Sequence, residues 1–103
     1  MSYAILRTDR FNDQLNDIIF YIADDAGDVD AALRVLDRIE ADVMALKQFP
    51  ERGNLPRYST LRRQGYRILV VMRWLVFYKV EPDRRAVTLY AIVDQRQEYL
   101  RLL

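Results

Sequence analysis

Apolar residues recur in two rhythms along this chain. Phe11, Leu15, Ile18, Ile19 and Ile22 fall at three- and four-residue steps, with Asp13, Asn16 and Asp17 on the opposite side. That spacing predicts an amphipathic helix of about four turns. Thr8 or Asp9 stands where such a helix needs a cap, and Gly27 stands where its end needs a left-handed residue. A second stripe, Ala32, Val35, Leu36, Ile39, Val43 and Leu46, follows the candidate caps Asp28 and Asp30. Joined by so few residues, the two helices predict an antiparallel hairpin whose apolar stripes need a surface to cover.

The other rhythm supplies that surface. Residues 66–72 (YRILVVM), 74–81 (WLVFYKVE) and 86–93 (AVTLYAIV) are rich in β-branched and aromatic side chains and predict three strands, with 82–85 (PDRR) as a tight turn between the last two. Alternation along 66–72 puts Tyr66, Ile68, Val70 and Met72 on one face and Arg67, Leu69, Val71 and Arg73 on the other. Leu75, Val76, Phe77 and Tyr78 are apolar in succession, so the middle strand is expected to be covered on both faces. Residues 3–7 (YAILR) predict a further strand, which must join the same sheet because an isolated strand is unstable.

Phe49-Pro50 ends the second helix. Residues 50–65, with two Pro, two Gly and clustered Arg, predict a long loop, and 95–103 a last helical turn or two. The expected architecture is α+β, ordered β-α-α-β-β-β: a small, mainly antiparallel sheet with the αα-hairpin packed on one face and Arg side chains on the other, in a single domain over residues 1–103.

Composition narrows the chemistry. The chain has no Cys and no His, which excludes a disulfide framework, the usual zinc sites, a thiol nucleophile, an imidazole base and a Ser-His-Asp triad. No metal and no cofactor is expected. The N-terminus is charged too early for a secretory signal, and the most apolar stretch, 68–78, is broken by Arg73 far short of a membrane span. A cytoplasmic protein with no membrane partner is the expectation.

Net charge is +1, yet its distribution is uneven. Residues 1–46 hold four Arg against ten Asp or Glu, whereas residues 47–67 hold six basic residues against Glu51 alone. Fourteen of the sixteen cations are Arg, the others being Lys47 and Lys79. Arginine's planar fork matches phosphate oxygens, so an acidic half joined to a basic half suggests a surface that faces a polyanion. Arg67 is the most conspicuous single cation, because Leu69 and Val71 share its face and that face is not fully solvated. Arg96 follows the last strand, with Tyr99 three residues on.

The hairpin, Phe49-Pro50-Glu51-Arg52-Gly53, Gly65-Tyr66-Arg67, Leu75-Val76-Phe77-Tyr78-Lys79-Val80 and the terminal Arg96-x-x-Tyr99 together resemble the RelE/ParE superfamily of toxins from bacterial type II toxin–antitoxin modules. The resemblance spans essentially the whole chain. It implies the fold above and a growth inhibitor neutralised by an antitoxin chain in a hetero-oligomer. RelE-like members are ribosome-dependent mRNA endonucleases, and ParE-like members inhibit DNA gyrase without hydrolysis. A shared scaffold does not separate the two.

On the nuclease reading, taken first, the ribosome and mRNA are the partners and a ribose 2′-OH attacks the adjacent phosphate. The resemblance then implies that Arg67 holds the phosphate, Arg96 stabilises the transition state and Tyr99 stacks on a base or aids proton transfer, with Glu51 as candidate base. Lys47, Arg52, Arg57, Arg62 and Arg63 would grip the RNA backbone. Where many related toxins carry a His before the last arginine, this chain has Val93-Asp94-Gln95. The general base therefore stays unassigned. Gyrase inhibition, or a toxin fold kept as an inactive interaction module, are the alternatives.

Overall fold

The fold is seen in a computed structural model of the chain, in which residues 2–96 are described. Strand β1 (Ala4–Arg7) leads into helix α1 (Asp9–Phe20), capped by Thr8, whose hydroxyl accepts the Phe11 N–H at 3.1 Å. The helix widens into one π-helical turn, Tyr21–Asp25, and the chain reverses at Gly27, whose φ of +68° is the left-handed region glycine enters without strain. Asp28 caps helix α2 (Val29–Met44) by accepting the Ala31 N–H at 2.9 Å. Strands β2 (Tyr66–Val71), β3 (Trp74–Glu81) and β4 (Ala86–Asp94) complete the predicted order.

The sheet runs β1-β4-β3-β2, with β1 parallel to β4 and the remaining pairs antiparallel. Strand β1 is short, and α1 takes over where it ends. The Thr8 N–H donates to the Leu89 carbonyl, the Thr8 hydroxyl donates to the Tyr90 carbonyl, and Gln14 Oε1 accepts the Ile92 N–H at 2.9 Å. The open edge of β4 is thus satisfied by a helix rather than by another strand, which fixes α1 against the sheet.

The main core lies between the hairpin and one sheet face. Phe11 and Leu15 of α1, and Ile39 and Val43 of α2, meet Leu69, Val71, Val76, Tyr78, Val87, Leu89 and Ile92. A smaller cluster, Ile68, Leu75, Phe77, Ala91 and Val93 with Leu61, fills the opposite face. The middle strand is buried from Trp74 through Tyr78, as its unbroken apolar run predicts.

Two expectations are corrected. Residues 50–65 are not wholly a loop: Ser59–Arg63 form a short helix, α3, whose Leu61 covers the second cluster. Five residues carry no periodic stripe for the sequence to display, and one buried leucine suffices to seat them. Nor do strand arginines line the face opposite the hairpin. Arg67 does share the face of Leu69 and Val71, but that is the face the hairpin covers. The expected final helical turns of 95–103 fall mostly on residues 97–103, outside the described residues.

Candidate functional site

Arg67 sits at the start of β2, directly across from Tyr78 of β3. Both side chains reach the same short segment of the preceding loop. One guanidinium nitrogen of Arg67 donates to the Gly53 carbonyl at 2.7 Å and to the Glu51 carbonyl at 2.9 Å. The Gly53 N–H donates to the Tyr78 hydroxyl at 2.9 Å, and Asn54 exchanges two backbone hydrogen bonds with Ile68. This strap approaches the sheet so closely that only glycine fits at position 53. A Cβ there would stand 2.6 Å from the Ile68 carbonyl oxygen and 2.7 Å from the Tyr78 hydroxyl.

Arg96 lies in a different constellation. The two-residue turn Met72–Arg73, with Met72 at φ +55°, pairs Val71 with Trp74 and swings Arg73 toward the end of β4. There Asp94, opposite Trp74, accepts hydrogen bonds from both arginines. Arg73 Nε donates to it at 2.9 Å, and Arg96 donates through Nε at 3.1 Å, through its terminal nitrogen at 3.1 Å and through its backbone N–H at 2.9 Å. The Arg96 hydrogen bonds, then those of Arg73, hold the Asp94 carboxyl far below the usual carboxylate range, and Asp94 in turn raises the Arg96 guanidinium.

The two arginines therefore do not meet. Arg67, the second residue of β2, and Val71, its last, stand about 13 Å apart at ~3.3 Å per residue, and Arg96 lies beyond the Val71 end. Beside the Asp94 clasp opens a groove of about 690 Å³ between α1 and the sheet end, lined by Gln14, Ile18, Tyr21, Trp74 and Arg96 among others.

The loop cations divide as well. Arg62 is committed to α3's own entry, donating to the Pro56 and Arg57 carbonyls at 2.7 Å each, and the Arg57 guanidinium stacks on the Tyr58 ring at 5.2 Å. Arg52 and Arg63 are exposed. Lys47 lies with Tyr3 and Met44 beside β1, away from the Arg96 groove. Glu51 contributes its carbonyl to Arg67, and Tyr99 falls outside the described residues. Two features are not evident from the sequence pattern: the role of Asp94, which stands where many related toxins carry a His, and the contact between Gly53 and Tyr78, signalled only by a Gly inside the Phe49-to-Gly53 motif.

The family model described as the ParE toxin of type II toxin–antitoxin systems, parDE, matches residues 5–99. The chain belongs to the ParE toxin family. The toxin's fold agrees with that assignment. A structure described as the chromosomal ParDE toxin–antitoxin system from P. aeruginosa superposes with a TM-score of 0.73 at 16% identity, covering 90% of the toxin and 96% of that chain. The RelBE2 toxin–antitoxin complex from Mycobacterium tuberculosis superposes with a TM-score of 0.68 at 13% identity, covering 94% and 95%. A search of curated proteins returned no match. The toxin is therefore a type II toxin–antitoxin toxin on the RelE/ParE scaffold.

The clasp has an acid signature. Because folding lowers the Asp94 pKa, its contribution is fully present above the unfolded carboxylate value of about 3.9 and is lost as pH falls through the folded value. Thermal denaturation of Asp94→Asn beside the parent should show a gap that is constant from pH 5 to 8 and narrows steadily below about pH 4. A gap unchanged down to pH 2 would mean that the carboxylate contributes nothing.

Proposed function

We propose that this toxin arrests growth by binding its target, as a gyrase inhibitor of the ParE type, rather than by cutting mRNA on the ribosome. The carrying observation is the Asp94 clasp. A phosphate brought to Arg96 meets a carboxylate already at hydrogen-bond distance from the same guanidinium, and that carboxylate stays ionised well into acid. Like-charge repulsion opposes phosphate binding and still more the charge that accumulates in a phosphorane. Arg67, the other arginine a nuclease would use, is held by two backbone carbonyls through one terminal nitrogen, at the other end of β2 from the clasp. The ParE family match supports the same choice.

Purified toxin added to a supercoiling reaction should block supercoiling and accumulate cleaved DNA complexes, while message in a translation extract stays full length. Truncated message with supercoiling untouched would overturn the reading. Toxin inert in both reactions would point instead to an inactive interaction module.

An antitoxin partner belongs to the same proposal. The acidic hairpin exposes Phe20, Val29 and Leu33 at 63%, 59% and 53%, apolar side chains available for a partner chain to cover. The two solved relatives are described as toxin–antitoxin systems or complexes. Cytoplasmic action fits the described helices, none of which is long and apolar enough to cross a membrane.

A further inference from the structure

The sheet face opposite the hairpin is only half covered. Helix α3 seats Leu61 over Ile68, Leu75, Phe77, Ala91 and Val93 at one end. At the other end, beside the N-terminus of α1, a small cup of about 210 Å³ is lined by Thr8, Arg10, Tyr66 and Tyr90. The register shift between Phe77 and Tyr78 creates it. Phe77 pairs with Ala91 and Tyr78 with Leu89, so Tyr90 is the unpaired bulge residue, and its ring meets Tyr66 edge to face at 5.5 Å and 80°. Lys79 places its ammonium 4.5 Å from the Tyr66 ring centroid and 5.2 Å from that of Tyr90.

We infer that this cup binds a phosphate group of a nucleic-acid strand. The Arg10 guanidinium and the two phenol hydroxyls that line it can donate, the Lys79 ammonium lies against the same two rings, and the Thr8 hydroxyl is already spent on the Tyr90 carbonyl and the Phe11 N–H. Burial, then the neighbouring Tyr90, pushes the Tyr66 pKa up and keeps its hydroxyl protonated as a donor. Neither Arg10 nor Lys79 pairs with a carboxylate among the described residues. Glu81, two positions along β3 from Lys79, is already held by Arg84 at 2.8 Å and Thr88 at 3.2 Å.

The geometry favours phosphate over carboxylate. The two phenol planes stand at 80°, so donors approach from different planes, which suits a tetrahedral oxyanion better than a planar one. Lys79 already lies against the faces of both rings, which favours reading a backbone phosphate over stacking a base. The basic segment leads into the same strand: α3 carries exposed Arg63 in its last turn, three residues before Tyr66. This inference concerns a surface apart from the Asp94 clasp and does not depend on which cellular target the toxin inhibits.

The test uses the full-length toxin and a fluorescent twelve-nucleotide single-stranded DNA, with anisotropy read across a salt series. Lys79→Met, which keeps the aliphatic stem, and Arg10→Gln should each weaken binding about three- to tenfold and reduce the salt slope by about 0.7. Tyr90→Phe should weaken binding by a smaller factor with an unchanged slope. The charge control is Arg34→Gln, on the exposed side of α2, which should change affinity less than about twofold. Thermal denaturation of each variant reports whether it is folded. Because Arg10 is exposed, Arg10→Gln keeps the test valid should Lys79→Met unfold.

Amide shifts induced by inorganic phosphate should centre on Thr8, Arg10, Tyr66 and Tyr90. Equal losses for Arg34→Gln and Arg10→Gln would overturn the proposal, as would shifts from phosphate that miss the cup. Binding of an oligoglutamate peptide with no binding of the oligonucleotide would also overturn it, assigning the cup to an acidic protein partner.

Discussion

Gly53→Ala should lower the stability of this toxin by about 2–3 kcal/mol, read as a fall in Tm of roughly 10–20 °C. The added Cβ would lie 2.6 Å from the Ile68 carbonyl oxygen and 2.9 Å from a ring carbon of Tyr78, distances that real Cβ atoms essentially never show. Neither neighbour has room to yield. Ile68 is bound into the sheet and also exchanges hydrogen bonds with Asn54, while Tyr78 is fully buried in the main core. The strap must lift, and lifting it breaks the Gly53 to Tyr78 hydrogen bond and the two Arg67 contacts together. Tyr78→Phe isolates one part of that loss, since it removes only the hydroxyl and leaves a buried N–H unpaired, at about 1–2 kcal/mol. If Gly53→Ala unfolds within 2 °C of the parent, the close approach is not a real constraint.

Arg67→Met should cost about 2–3 kcal/mol, again read by thermal or denaturant unfolding. Methionine keeps most of the aliphatic length and removes the fork. Glu51 is exposed and can turn its released carbonyl to water, whereas Gly53 is buried, so its carbonyl accounts for most of the cost. The functional readout separates two roles. If Arg67 is a strut, the growth arrest produced per folded molecule is unchanged at a temperature where the variant is folded, and Arg67→Lys restores only part of the stability because the ammonium sits on a differently shaped stem and is more strongly hydrated than the guanidinium it replaces. If Arg67 grips a substrate phosphate, unfolding is little affected and activity collapses. A Tm within 2 °C of the parent, with toxicity abolished, would make Arg67 a substrate-gripping residue instead.

Much of this fold is legible one element at a time. Thr8 and Asp28 cap the helices that their positions announce, because a cap is a contact over three residues and needs no tertiary information. The strand boundaries agree with the apolar runs to within a residue or two. Helix α3 was missed for the complementary reason: its one buried anchor, Leu61, has meaning only once Phe77 and Ile68 lie beneath it. That Arg67 is not fully in solvent is legible from Leu69 and Val71, which share its face. Its partners were beyond reach, since they are backbone carbonyls 14 and 16 residues away, and no side-chain pattern marks a carbonyl as an acceptor.

The sequence by itself determined the family and the layering: periodicity of two and of three to four is written into consecutive residues, and it decides which face of each element is apolar. Only the tertiary structure decided what the arginines do. Arg67 became a strut because β2 lies opposite Tyr78 under the Gly53 strap, and Arg96 became half of a clasp because a two-residue turn brought Arg73 beside Asp94. The phosphate cup exists because a single bulge turned Tyr90 toward Tyr66. Charge partners are chosen through space by register, turn length and bulges, and a shift of one residue reassigns them without disturbing the hydrophobic pattern from which the fold is read.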